Sequence, residues 1–150
     1  MADPEDEVVQ EWIEHIPDPD RIFMRVHEGG LTVTRQFHPG IFREHDGAMS
    51  VDWEKYSSAK ETRSRAKKNP GQNGVIALVA GDVRGIEGLS VEHEPIRSNR
   101  AHSGIHGITQ PGSLPAEEIK TKRRALLLGL VTGWEIDPFE AHLGGSPASA

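Results

Sequence analysis

The sequence predicts a single α+β domain in which a small mixed or antiparallel sheet packs with about three helices. The chain has 150 residues, which is the usual size of one domain. Hydrophobic residues make up only 35% of it, and 16 glycines and 10 prolines indicate a small core with many turns. Short apolar runs typical of strands are interspersed with three segments of helical periodicity. We expect the domain to cover residues 1–142 and the uncharged tail 143–150 to be disordered.

An acidic helix is predicted over residues 3–16. Asp3 can cap this helix, Pro4 suits its first position, and the acidic residues that follow favour the positive end of the helix dipole. Apolar residues repeat along one face at helical spacing: Val8, Val9, Trp12, Ile13 and Ile16. Pro17 ends the pattern, so we expect the helix to dock through Trp12.

Three short strands are predicted next. Residues 22–26 and 31–34 read as a hairpin around the Glu-Gly-Gly turn at 28–30. Residues 48–52 follow Gly47 and are expected to form a further strand.

A second helix is indicated by a capping box, in which Ser58 precedes Glu61 by three residues. We expect it to end at the Asn-Pro-Gly sequence 69–71. It has little apolar surface, so it cannot be a core helix. The basic residues along 60–68 could contact phosphates, face solvent, or be screened by the acidic N-terminal segment.

The unbroken apolar run 75–80 predicts the central strand of the sheet, covered on both faces. Residues 81–85 follow it but lack the glycine spacing of a dinucleotide-binding fingerprint, so we interpret them as a turn. Residues 89–92 and 104–108 are expected to be further strands.

A third helix is predicted from Pro115 to about Val131. Its first turn carries two glutamates, and Gly133 is expected to stop it. The stripe expected to be buried consists of Ile119, Leu126, Leu127, Leu130 and Val131.

Composition excludes several classes of protein. The chain has no cysteine, which rules out disulfides, thiolate metal sites and cysteine nucleophiles. Its acidic N-terminus differs from a secretory signal, and no apolar run is long enough to span a membrane, so we expect a cytoplasmic protein. The net charge of −6 is uneven: residues 1–20 hold eight acids and no Lys or Arg, whereas residues 21–68 hold ten Lys or Arg and six acids.

Polar residues at the edges of the predicted strands are the candidate functional residues. Side chains two apart on a strand share a face, so Arg25 and His27 should point the same way and could hold an anion. We assign proton transfer to three histidines, His27, His38 and His102. We assign ligand binding to Arg25, Arg35, Ser50, Arg97 and Asn99. The alternative is that each is an ordinary surface residue.

The spacing of His102 and His106 would place two imidazoles on one face of a helix, as in zinc hydrolases. Gly104 and Gly107 disfavour a helix there, and a strand would put both rings on one face without a metal. We therefore expect no metal site. Standard cofactor-binding motifs are missing from the sequence, so we expect no cofactor.

The order RVH, RQFHP, MSVDWEKYSS, GVIALVAGDVR, EPIRSNRAHSGI resembles a scattered group of small, uncharacterised bacterial proteins. The resemblance covers roughly residues 20–110. It implies one compact bacterial domain and does not indicate any particular activity. The layout is also similar to that of ADP-ribosyltransferases or RNA phosphotransferases. That resemblance implies an early Arg or His, a serine before a short helix, and a later acid, for which the matching positions are Arg25 or His27, Ser50 or Ser58, and Glu92 or Glu94.

Two functions follow as hypotheses. The first is a small accessory protein that binds a protein partner through charged surfaces. The second is an enzyme or binder acting on a phosphate-bearing ligand such as a nucleotide, NAD or RNA. Convergence of the arginines and histidines in one concave pocket would favour the second, and their dispersal over separate surfaces would favour the first.

Overall fold

The structure is a computed structural model that describes residues 9–45, 47–67, 69–109 and 116–138. Its strands form one antiparallel sheet in the order β3-β1-β2-β5-β4, where β1 is Arg21–His27, β2 is Ala48–Trp53, β3 is Asn73–Val79, β4 is Ser90–His93 and β5 is His102–His106. The helices are α1 at Ala59–Ser64, α2 at Ala80–Arg84 and α3 at Ala116–Leu130. The predicted α+β class is confirmed, and of the two sheet types left open, mixed or antiparallel, the sheet is antiparallel.

The two faces of the sheet differ because side chains alternate along each strand. On β2, Met49, Val51 and Trp53 enter the core and are at most 3% exposed, whereas Ser50 on the opposite face is exposed. Strand β1 follows the same alternation. The core lies on one side of the sheet, which leaves polar side chains of the central strands on the other side.

Helix α3 covers the core side with a narrower stripe than predicted. Leu127 is fully buried and Ile119 nearly so, but Leu126 is 46% exposed, so its assignment to the buried stripe is wrong. Arg123 is buried instead, and it donates to the backbone carbonyls of Glu87 and Gly107. These bonds satisfy the guanidinium, which allows a charged residue to occupy a position that periodicity assigns to a hydrophobic one.

The predicted hairpin is wrong. Residues 28–30 form a short 3-10 helix, and Leu31 makes only an isolated bridge, to Phe37. Strand β1 pairs with β3 along its whole length and with β2 at its start, so its hydrogen-bonding edges are used by distant strands. Local turn signals cannot reveal such long-range partners.

Strand β3 is an edge strand, so its predicted central position is wrong. Its apolar run is nevertheless covered on both faces, because the core lies on one side and α1 packs against it on the other. The segment after α3 also closes its edge: Val75 exchanges backbone hydrogen bonds with Ile136 at 3.0 and 3.1 Å. Gly74 permits this approach, since a Cβ there would lie 2.4 Å from Trp134.

Two further local predictions fail for tertiary reasons. Residues 80–84 form α2 and not a turn, and the backbone N–H groups of Ala80 and Gly81 at its start donate to the carbonyls of Asp20 and Asp18 at 2.9 and 2.8 Å. The predicted N-terminal helix is helical in the described residues only at 9–11; residues 1–8 lie outside the described part, as does the tail 143–150. The helix stops because the backbone N–H of Glu14 bonds to His93 of β4.

The remaining element predictions hold, with shorter bounds for α1. The capping box of Ser58 and Glu61 is present at the start of α1, and the helix ends at Ser64. Thr62 is its buried residue, which fits a helix lying outside the core. Among the described helices, none is both long and apolar enough to cross a membrane.

Candidate functional site

A cleft opens on the polar side of the sheet where β1 and β2 stop pairing. The two strands pair only as Ile22 with Trp53 and Phe23 with Asp52, whereas β1 pairs with β3 at seven positions. Continuing that register by two residues places Arg25 of β1 opposite Ser50 of β2, beyond the last pair. The space between them belongs to a cleft of about 790 Å³. Strand divergence therefore creates the cavity.

Cationic and titratable side chains line this space, which we call the basic cleft. Its lining includes four Arg or Lys residues and three histidines: Arg25, Arg43, Arg65, Lys67, His27, His45 and His102. Among the described residues that line it, Asp52 is the one acidic residue. A concave surface with such an excess of one charge concentrates ions of the opposite sign. The basic cleft is therefore suited to an anion.

Asp52 anchors the floor of the basic cleft. Its Oδ2 accepts hydrogen bonds from Arg65 at 2.7 Å and from the Thr62 hydroxyl at 2.8 Å, and its Oδ1 accepts one from the Asn99 amide at 2.8 Å. Arg65 also donates to the hydroxyl of Ser57 at 2.8 Å. The carboxylate thus already has three partners, and it joins β2, α1 and the loop before β5.

Helix α1 positions two arginines of the basic cleft. Arg65 comes directly after the helix, and Arg25 of β1 donates to the backbone carbonyl of Thr62 at 3.0 Å. Each of these bonds occupies only some of the five N–H donors of a guanidinium. Both arginines are half-buried and retain donors for a further acceptor in the cleft.

His102 contacts Ser50 across the β2–β5 ladder. Its Nδ1 lies 2.8 Å from the backbone carbonyl of Glu94, and its Nε2 lies 3.4 Å from the Ser50 hydroxyl. A carbonyl oxygen only accepts, so Nδ1 carries the proton and Nε2 of the neutral ring is an acceptor. His102 Nε2 can therefore accept the proton of the Ser50 hydroxyl.

His27 lies at the end of β1, on another wall of the basic cleft. Its Nδ1 accepts from the backbone N–H of Gly29 at 2.9 Å, and its Nε2 lies 3.4 Å from the side-chain oxygen of Gln72. The neutral ring therefore carries its proton on Nε2 and donates toward Gln72. The Nε2 of His27 is thus a hydrogen-bond donor, whereas the Nε2 of His102 is an acceptor.

The structure brings five of the eight candidate residues to the basic cleft: Arg25, His27, Ser50, Asn99 and His102. The other three are not in its lining. His38 caps a short 3-10 helix by accepting from Gly40, and Arg35 lies in a turn with a left-handed φ of 62°. Arg97 is exposed in the turn after β4. Of the five, Asn99 is engaged on both amide atoms, with Asp52 and Ala101.

Sequence reasoning missed other residues that line the basic cleft, notably Arg43, His45 and Asp52. Arg65 and Lys67 were noted only as part of a basic helix, although they line the cleft after the helix has ended. Alternation along β2 offered one usable signal, since it places Asp52 on the same face as Ser50. Arg43 and His45 lie in a loop, where no periodic pattern in the sequence marks them.

A separate aromatic cluster holds residues 12–16 against the sheet. Arg100 lies over Trp12 and Tyr56, with its guanidinium carbon 5.1 and 4.6 Å from the two ring centroids. Glu14 accepts hydrogen bonds from Lys55 and from the Tyr56 hydroxyl. These bonds, that from Lys55 first, hold the pKa of Glu14 below its ordinary value, and the bond to Glu14 raises the pKa of Lys55.

His106 does not join His102 as a metal ligand pair. It lies at the other end of β5, four residues beyond His102, and its Nε2 is 2.9 Å from the carboxylate of Glu94. In the described ranges, no three His, Asp or Glu side chains come together in a way that could hold a metal ion.

Comparison of the chain with protein-family models, curated proteins and solved structures gives no match.

Proposed function

We propose that the protein binds a phosphate-bearing small ligand, of the nucleotide class, in the basic cleft. The observation that carries this proposal is the convergence of four Arg or Lys residues and three histidines on one concave surface whose acidic residue is already ion-paired. Guanidinium groups are matched to phosphate oxygens in charge and in hydrogen-bond geometry.

The size and mixed lining of the basic cleft favour a nucleotide over inorganic phosphate. Its volume of about 790 Å³ is in the range of small-molecule sites, which is roughly 300 to 1,000 Å³. Apolar side chains of Phe23, Ile41 and Ile96 line it beside the cations. Charged groups for phosphate together with an apolar wall for a base or sugar suit the two halves of a nucleotide.

Binding of a protein partner through charged surfaces, which composition alone favours, stays a second prediction. Two of the basic residues in or next to α1 have internal roles that reduce its support: Arg63 donates to the carbonyls of Pro70 and Asn73, and Arg65 bonds Asp52. Bacterial origin and cytoplasmic location also stay predictions.

The experiment compares ATP, ADP and NAD with adenosine by isothermal titration calorimetry at low and high salt. We expect the phosphate-bearing ligands to bind more tightly than adenosine, and their affinity to fall as salt rises, because screening weakens the charge contacts. Equal affinity for ATP and adenosine would contradict the proposal.

Matched charge variants locate the binding site. R43Q/K67Q removes two exposed charges from the rim of the basic cleft, whereas K60Q/K122Q removes two exposed charges from helix surfaces outside it. The first pair should weaken ATP binding by about tenfold or more, since one charged hydrogen bond contributes about 1.5 to 3 kcal/mol. The second pair should bind as the wild type does. The same loss in both would show that binding is non-specific.

A further inference from the structure

We propose that Ser50 and His102 are a nucleophile and its general base, so that the basic cleft hydrolyses a phosphate ester. This proposal rests on the proposed function, because the ester is the ligand held by the cationic walls. It adds a covalent step to binding. The observation that supports it is that the two ring nitrogens of His102 contact different groups: Nδ1 contacts the Glu94 carbonyl and Nε2 contacts the Ser50 hydroxyl.

His102 is held in the orientation that a general base requires. The Glu94 carbonyl fixes the proton on Nδ1, and the Glu94 N–H donates to the His102 carbonyl at 2.9 Å, so the two residues are tied twice. Gly104 leaves room for the Glu94 side chain, since a Cβ there would lie 2.2 Å from its Oε1. A base oriented by a third group is the arrangement found in serine nucleophile sites generally.

Ser50 is accessible to a bound ligand. It is exposed, it lines the basic cleft, and its partner in the β2–β5 ladder is Gly104, which has no side chain to cover it. Arg25 is opposite it in the continued register of β1 and β2. The 3.4 Å separation of Nε2 and the hydroxyl is long, and such contacts tighten when a substrate is bound.

The reaction divides into two balanced steps. In the first, His102 Nε2 takes the Ser50 proton, the Ser50 oxygen bonds to phosphorus, the bond from phosphorus to the leaving oxygen breaks, and that oxygen takes the proton from His102. In the second, His102 takes a proton from water, the water oxygen bonds to phosphorus, the bond to Ser50 breaks, and the serine oxygen is reprotonated. The sum is ester plus water giving alcohol and phosphate, with the arginines stabilising the developing negative charge.

The test uses diisopropyl fluorophosphate on the full chain, with the label located by mass spectrometry. In labelling, the Ser50 oxygen bonds to phosphorus and fluoride leaves. We expect one adduct, on Ser50, that is lost in S50A and unchanged in S64A, at an exposed serine of α1 that does not line the cleft. H102N retains a donor for the Glu94 carbonyl but has no Nε2, and should slow labelling about a hundredfold or more.

Hydrolysis of bis(p-nitrophenyl) phosphate should be lost in S50A and in H102N. A wild-type chain without label on Ser50, or labelling at the same rate in H102N, would overturn the proposal. ATP titration of S50A separates this outcome from failure of the proposed function. If S50A and wild type both bind ATP while Ser50 stays unlabelled, the cleft is a binding site and the nucleophile assignment is wrong.

Discussion

The carboxylate of Asp52 and the guanidinium of Arg65 form an ion pair of 2.7 Å at the floor of the basic cleft. Asp52 is 3% exposed, whereas the side chain of Arg65 is 27% exposed. The pair joins the central strand β2 to the end of α1, which in turn holds Arg25. One buried carboxylate therefore holds Arg65 directly and, through Thr62 of α1, contributes to the position of Arg25.

Replacing Asp52 should destabilise the fold. D52A leaves Arg65, Thr62 and Asn99 without their shared acceptor, and loss of one partner of a buried ion pair costs about 3 to 5 kcal/mol. Partial exposure of Arg65 lets water replace some of the bond, so we expect about 2 to 4 kcal/mol. Urea unfolding measures the loss. E92Q, at an exposed carboxylate of β4, should change stability by less than about 0.5 kcal/mol; a similar loss in both variants would contradict the assignment.

The bonds of Glu14 should make stability depend on pH in a defined direction. The folded pKa of Glu14 is lowered from 4.5, so its contribution is present above pH 4.5 and is lost as pH falls through the lowered value. Lys55 has the opposite sign: its pKa is raised above 10.5, and its contribution is lost as pH rises through the raised value. The stability difference between wild type and E14Q should thus be constant near neutrality and shrink in acid. Urea unfolding of both proteins across this pH range measures the difference, and a difference that does not change in acid would contradict the role of Glu14.

Gly74 should tolerate no side chain. A Cβ at this position would lie 2.4 Å from Trp134 and 2.6 Å from the Ile136 carbonyl, so G74A must push the segment 134–138 away from the edge of β3. We expect a loss of about 1 to 3 kcal/mol with a change in Trp134 fluorescence.

Gly129 supplies the matched control for this substitution. It lies in α3 with no atom within 4 Å of an added Cβ. G129A should stabilise the protein by about 0.5 to 1 kcal/mol, because alanine is the better helix former. Destabilisation by both variants would mean that the contacts of Gly74 are not the cause.

His93 should hold residues 12–16 against the sheet. Its Nδ1 accepts from the Glu14 N–H at 3.0 Å, its Nε2 donates to the Arg100 carbonyl at 2.7 Å, and its ring meets Trp53 edge to face. H93L leaves both backbone groups unpaired, which should cost about 1 to 3 kcal/mol. Hydrogen exchange at Glu14 should accelerate. H15A, at an exposed histidine, should leave that exchange rate unchanged, and slow exchange in H93L would contradict the role.

The local elements of this fold are largely predictable, because their signals lie within a few residues of each other. The capping box of Ser58 and Glu61 determines where α1 begins, and it is present in the structure. Alternation along β2 separates Met49 and Val51 from Ser50 and Asp52. The errors occur where a distant group replaces a local partner, as His93 does for Glu14 and Ile136 does for Val75.

The candidate site is less predictable than the fold. Five of the eight candidate residues line the basic cleft. They belong to β1, to β2, or to the start of β5 and the loop before it, and the order of strands in the sheet brings these segments together. His38, Arg35 and Arg97 belong to turns whose direction depends on the packing of the whole chain. Arg43 and His45 are found in the cleft for the same reason, and no pattern in the sequence marks them.

Local signals in the sequence are sufficient to predict the α+β class, strands near 21–27 and 48–53, the start of the capped basic helix and the lack of thiol chemistry. The tertiary structure adds that β1 and β2 stop pairing beyond Phe23 and Asp52, and that basic and histidine side chains from four separate stretches of chain line the gap between them. The two differ because the interactions involved act over different distances along the chain. Capping and alternation act between neighbours along the chain, whereas a cleft depends on which distant backbone groups take each other as hydrogen-bond partners.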